Sequence, residues 1–239
     1  MNFGRISACV VLCWLIGLIA GCRPASNGRA AFERSQQVAL RSSHFTVEVA
    51  QSTEIGEFKD TKSIDCDAQY FHELDVKDLN DVGVERDRSL SAGRASRHRA
   101  SEMMFLDGKT YGRNTSSWED PPLGTDDASP DWHPLTSSRD PREECQSMRA
   151  GLSLGFVAYD KILKSAKIDY LGGRVVNGHK CAEYQTSYPN RTYTDTKICL
   201  GTKDDLPYQV VGDNFKVTYN YDVVQKVALT ENTSIPPSQ

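Results

Sequence analysis

The chain has 239 residues, a quarter of them charged, a formal net charge of −4 and seven cysteines. That balance suits an ordinary solvated surface and supplies no basic field of the kind nucleic acid requires. Beyond the N-terminus no apolar run approaches ~18 residues, so the sequence contains no candidate membrane-spanning helix there.

The N-terminus reads as an export signal. Arg5 precedes an apolar run from Ile6 to Ile19, about 14 residues, too short for a mature span and right for a signal-peptide core. It ends Ile19-Ala20-Gly21-Cys22, which resembles the lipobox of bacterial lipoproteins: an aliphatic residue, two small ones, then cysteine. The resemblance implies removal of residues 1–21 and acylation of Cys22, which becomes the first residue. Two or more acyl chains hold a protein stably at a bilayer, where one alone holds it only marginally. Arg23 follows where inner-membrane lipoproteins tend to have Asp. The analogy implies the outer membrane, facing the periplasm, in a Gram-negative cell. Residues 22–30 are polar, contain Pro and Gly, and read as a tether. The remainder, 31–239, is long enough for one core and short for two.

A short amphipathic helix is expected over Ala30–Arg41, then a strand from His44 to Val49 with Phe45, Val47 and Val49 inward. A weak strand is expected from Ile64 to Leu74. Arginines 86, 88, 94, 97 and 99 follow among Ser, Ala and Gly. They read as a solvated loop leading into the polar face of a strand, with contact to an anionic headgroup or polyanion as the alternative. Glu102–Tyr111 is a hairpin turning at Asp107-Gly108. Residues 114–134 are rich in Asp, Pro, Ser and Gly and read as a long loop, in which Trp118 and Trp132 either seal a core edge or cap a cavity. Asp140-Pro141-Arg142-Glu143 is a helix start. That helix carries Cys145, breaks near Gly151 or Gly155, and resumes over Phe156–Lys164. The last third is an antiparallel meander: Lys167–Val176, a turn at Asn177-Gly178, His179–Tyr188, Thr192–Leu200, Pro207–Val211 and Phe215–Tyr221, with Phe215, Val217, Tyr219 and Tyr221 on one face.

Cys9 and Cys13 lie in the leader and Cys22 is assigned to lipid, which leaves four cysteines in an exported chain. A hairpin turning near Pro189-Asn190 places Cys181 opposite Cys199, and this leaves Cys66 to pair with Cys145. A four-cysteine metal site is the alternative, but no CxxC spacing is present. No GxSxG, HExxH, P-loop or dinucleotide fingerprint occurs, and His44, His72, His98, His133 and His179 show no metal-like spacing. No enzymatic activity, cofactor or metal is expected.

The layout resembles the lipoprotein-carrier superfamily of LolA, LolB and LprG. A helix feeds a strand at Ala31–Ala50. The segment Met104-Phe105-Leu106-Asp107-Gly108-Lys109-Thr110-Tyr111 is followed by Trp118. A Gly-containing strand pair runs from Leu171-Gly172-Gly173 through Asn177-Gly178, and Asp205-Leu206-Pro207-Tyr208 leads the return. The resemblance implies an α+β fold, in which a curved antiparallel half-barrel wraps a few helices around an apolar cavity for acyl chains. Phe45, Val47, Val49, Phe105, Tyr111, Trp118, Phe215, Val217 and Tyr219 are the candidate lining. Packing of a solid core is the other reading of the same residues. The implied partners are the membrane, a lipid or acyl-chain ligand, and an envelope protein; the alternative function is an interaction or sensor module without lipid cargo.

Overall fold

A computed structural model describes residues 28–90, 96–118, 131–135, 166–188 and 195–222, with single positions between 140 and 149 and between 224 and 229. The leader, Cys22, residues 119–130 of the loop expected over 114–134, the helix expected over 156–164 and the turn at 189–190 lie outside the described residues.

All strands pair antiparallel in one open, curved sheet. In chain order the elements are α1 (Gly28–Ala39), β1 (His44–Thr53), β2 (Gly56–Asp65), β3 (Tyr70–Leu79), α2 (Asp81–Leu90), β4 (Ser96–Leu106), β5 (Lys109–Trp118) and β6 (His133–Pro134). Then come β7 (Lys167–Val176), β8 (His179–Ser187), β9 (Thr196–Gly201), β10 (Pro207–Val211) and β11 (Phe215–Asn220). The strand order is β6-β5-β4-β3-β2-β1-β11-β10-β9-β8-β7. Two meanders thus meet at the centre, where the first strand pairs with the last: Val47 lies opposite Tyr219 and Val49 opposite Val217. Between β6 and β7 the chain must return from one edge to the other, and Cys145 lies on that crossover.

Local chemistry explains the well-read elements. At Asn177-Gly178 both residues take positive φ, 49° and 82°. A two-residue hairpin needs this backbone, because its twist matches the flanking strands. Asp107-Gly108 repeats the arrangement at 52° and 77°. The Asp140 carboxylate accepts a hydrogen bond from the Arg142 amide at 2.8 Å, and helical backbone follows at 145–147.

Four expectations need correction. The loop read over 114–134 is shorter, because β5 continues in register with β4 to Trp118 and His133–Pro134 form β6. The weak strand over Ile64–Leu74 is two strands, because Asp65 accepts from the Ala68 amide at 2.9 Å and Gln69 takes a φ of 49°, reversing the chain. The loop expected after residue 84 is in part the helix α2, capped by Asn80, whose Oδ1 accepts from the Gly83 amide at 3.0 Å. The tether read over 22–30 is shorter, since Gly28, Arg29 and Ala30 already belong to α1.

The register sorts side chains onto two faces, since opposed residues share a face. On the inner face Phe45, Ile64, Phe71, Phe105 and Tyr219 cluster with Cys145 of the crossover. Further along that face, Ala31 and Phe32 of α1 pack on Tyr184, Ile198 and Leu200 of β8 and β9. An ion pair from Arg34 to Asp205, at 3.0 Å, ties α1 to the β9–β10 turn. On the outer face Tyr70 and Met104 pack with Trp132 and with Val224, Val227 and Leu229, and the Tyr70 hydroxyl accepts from the Val227 amide at 3.0 Å.

Candidate functional site

The inner face carries most of the sequence-predicted lining. Phe45, Val47 and Val49 of β1, Phe215, Val217 and Tyr219 of β11 and Phe105 of β4 all point to it by register. They do not form one uniform wall. Phe45, Phe105 and Tyr219 are fully packed beneath Cys145 and belong to the core. Val47, Val49, Val217 and Phe215 are only half-buried and form a strip along the β1–β11 seam. Val210, opposite Val217 on β10, extends it and was not singled out in the sequence. Its neighbour Val211 is equally apolar, so the facing of this pair needed the register.

Two candidates fall elsewhere. Tyr111 pairs with Met104, a buried residue of the outer face, so its side chain points away from the strip. The physical reason is the tight Asp107-Gly108 turn, which opposes Phe105 to Thr110 and so puts Thr110 inside. Trp118 ends β5, and its side chain lies outside the described residues.

One strand away the inner face becomes charged. Val49 lies beside Asp60 and Val47 beside Lys62. Lys62 bonds both Glu73, at 2.8 Å, and Asp60, at 3.2 Å. Burial pushes the Asp60 carboxyl above its ordinary value, with Lys62 pulling the other way. Burial also opposes the Lys62 charge, but the hydrogen bond and attraction from Glu73 outweigh it, and its pKa is raised. The inner face therefore sets an apolar strip against a charged band. Where the strip nears the β1–β2 turn, a depression of about 280 Å³ is lined by Gln51, Thr53, Glu54, Ile55, Phe58 and Arg86. Gln51 and Phe58 oppose one another on the inner face, so this depression continues the strip toward α2.

Disulfides join Cys66 to Cys145, with Cα atoms 5.8 Å apart, and Cys181 to Cys199, at 5.5 Å. The second pair is diagonal, not directly opposed. The register sets Glu183 against Cys199 and Cys181 against Gly201, centring the hairpin on residue 191.

A charged cluster on the outer face was missed in the sequence. Glu102, 7% exposed, receives His72 Nε2 at 2.5 Å on one oxygen and the Arg113 guanidinium on the other. The Trp132 ring lies 4.6 Å from Arg113. Burial would raise the Glu102 pKa, but the hydrogen bonds from His72 and Arg113 outweigh it and hold the carboxyl below its ordinary value. The three residues are 30 and 11 positions apart, so only the β3–β4–β5 register brings them together. Among the described residues, no group of three or more metal-ligating side chains converges.

No family model matches the chain, and none of the curated proteins matches it. Solved structures give weak likenesses. The MucA/MucB complex of Pseudomonas aeruginosa aligns at 10% identity and TM-score 0.36, over 80% of this chain and 54% of that one. An uncharacterized conserved protein from Thermus thermophilus aligns at 7% identity and TM-score 0.32, over 80% of this chain and 85% of that one. A putative outer membrane lipoprotein-sorting domain from Vibrio parahaemolyticus aligns at 11% identity and TM-score 0.22, over 79% and 73%. The chain spans about half the length of the MucB chains it aligns with.

Proposed function

We propose that the chain is a membrane-anchored envelope lipoprotein that holds a lipid or another hydrophobic ligand along the inner face of its sheet. The half-buried strip Val47, Val49, Val210, Phe215 and Val217 carries this reading. Its apolar side chains lie beside a band of ionised groups, so a molecule with a hydrocarbon body and a polar end finds both chemistries within one strand spacing. Two disulfides suit an oxidising compartment outside the cytoplasm. Cys22, by its lipobox setting, supplies the anchor, and the outer membrane facing the periplasm is the favoured address. We assign no catalytic step, because the residues of the strip include no nucleophile or general base.

Binding of a fluorescent fatty acid tests the proposal. Val49→Asp and Val217→Asp each place an unpaired carboxylate in the strip, where an isolated charge meets hydrocarbon at high cost. Each should weaken uptake of the probe at least tenfold, whereas Glu48→Gln, on the exposed opposite face of β1, should leave it unchanged. Equal binding by all four proteins would refute the assignment of the strip.

A further inference from the structure

We infer that β7 is a self-association edge, on which a second copy of this chain adds its own β7 antiparallel about a two-fold axis between Leu171 and Gly172. Among the described residues β6 and β7 are the two ends of the sheet, and they differ. At one end β6 is two residues long and includes Pro134, which has no amide hydrogen to donate to a neighbour. At the other, β7 runs ten residues without proline. It exposes Tyr170 (47%), Leu171 (46%) and Val175 (61%), three of the five large apolar side chains most exposed among the described residues. Natural edges carrying exposed apolar residues are templates for strand pairing.

The sequence of β7 fits its own reverse. In the register centred between residues 171 and 172, Asp169 meets Arg174 of the second copy, Ile168 meets Val175, and Tyr170 meets Gly173. Each pair shares a face in this fold. Asp169 and Arg174 oppose Gln185 and Cys181 on β8, so both belong to the outer face. Ile168, Tyr170, Gly173 and Val175 oppose Thr186, Tyr184, Ala182 and Lys180, so all belong to the inner face. The bulge between Tyr170 and Gly172 makes this consistent, because it adds the residue needed to bring both halves of the strand into phase. Gly172 supports the bulge at a φ of 140°, where other residues are strained. The bulge sits on the proposed axis, so both copies deform at the same place.

Complementarity is chemical as well as geometric. Two opposite-charge pairs and two aliphatic pairs recur by symmetry, and a tyrosine ring covers a bare glycine on each side. Arg174 Nη1 already bonds Glu183 at 2.8 Å, and Asp169 receives Lys167 at 2.7 Å. Arg174 retains further N–H donors and Asp169 a second oxygen for the partner. Ten edge residues fall short of the roughly 20–30 residues a side of a standard interface, so reversible association is expected.

Sedimentation equilibrium of the full-length chain in density-matched detergent, over a concentration series, tests this. Monomer–dimer equilibrium is expected. Asp169→Arg or Arg174→Asp alone opposes like charges twice across the axis and should raise the dissociation constant about tenfold. The double variant D169R/R174D restores the pairing and should return the constant to within about twofold of the parent. Thermal melting checks folding, and Val175→Lys carries the test if a single swap unfolds the protein. A monomer at every concentration, or a dimer indifferent to these substitutions, would overturn the inference.

Discussion

Glu102 shows how much a single buried carboxylate can depend on partners far along the chain. His72 and Arg113 occupy its two oxygens, and all three groups are withdrawn from water. Removing the carboxylate leaves the buried Arg113 guanidinium without its counter-charge, which typically costs about 3–5 kcal/mol. Glu102→Ala should lower stability by that order, measured by urea denaturation at neutral pH. The same site predicts an acid limb. A carboxyl whose folded pKa is depressed stabilises the fold above its unfolded value, and this contribution disappears as pH falls through the folded value. Stability should therefore drop with acid below the ordinary 4.5 of a glutamate, and Glu102→Gln should flatten that slope. Asp60 has the opposite sign. Its raised pKa favours the protonated fold, a contribution present in acid and lost as pH rises through the folded value. Asp60→Asn should raise the denaturation midpoint at pH 7 and leave it nearly unchanged at pH 3. Neither site was visible in the sequence. Alternation marks the face of a residue, but the partner of Glu102 is fixed by which strands are neighbours.

At the scale of elements, those with a local chemical signature were legible. Asn177-Gly178 and Asp107-Gly108 announce their hairpins because few dipeptides adopt positive φ at both positions. The period-two pattern of β1 and β11 likewise put Phe45, Val47, Val49, Val217 and Tyr219 on one side. Two elements depended on quieter signals. The turn after β2 rests on Asp65 bonding the backbone three residues on, in a stretch without Gly or Pro. The helix α2 is short, and Asn80 both caps it and donates from Nδ2 to the Glu54 carbonyl at 2.9 Å. Asn80→Ala removes both bonds and should cost about 1–2 kcal/mol of stability, read by chemical denaturation. A change below a few tenths would show that α2 is held by packing instead. Tyr111 illustrates a further limit: its aromatic character was clear, but a one-residue difference in turn length decides which face it takes.

The whole molecule is two meanders joined at their first and last strands and stitched by a crossover. Cys66–Cys145 fastens that crossover to the sheet across a sequence separation of 79, whereas Cys181–Cys199 links adjacent strands across 18. Loop-closure entropy assigns roughly 4–5 kcal/mol to the longer link and ~3 kcal/mol to the shorter. Replacing Cys66 and Cys145 together by Ala should therefore depress the thermal midpoint more than the same change at Cys181 and Cys199. The reverse order would mean that the crossover is held by its contacts with Phe45, Phe71 and Phe105 and hardly by the disulfide. Strand order was the part of the architecture least legible beforehand, because nothing local says that β1 pairs with β11. That pairing creates the strip on which the functional proposal stands: Val47 and Val49 come from the first strand, Val217 and Phe215 from the last.

The most direct measurement is therefore mass spectrometry of an organic extract from the full-length protein, purified from its native host under non-denaturing conditions. A non-covalently bound lipid or other hydrophobic molecule is expected in near-stoichiometric amount, sharply reduced in the Val217→Asp variant. An extract without any such molecule, from protein shown to be folded, would contradict a ligand-holding strip.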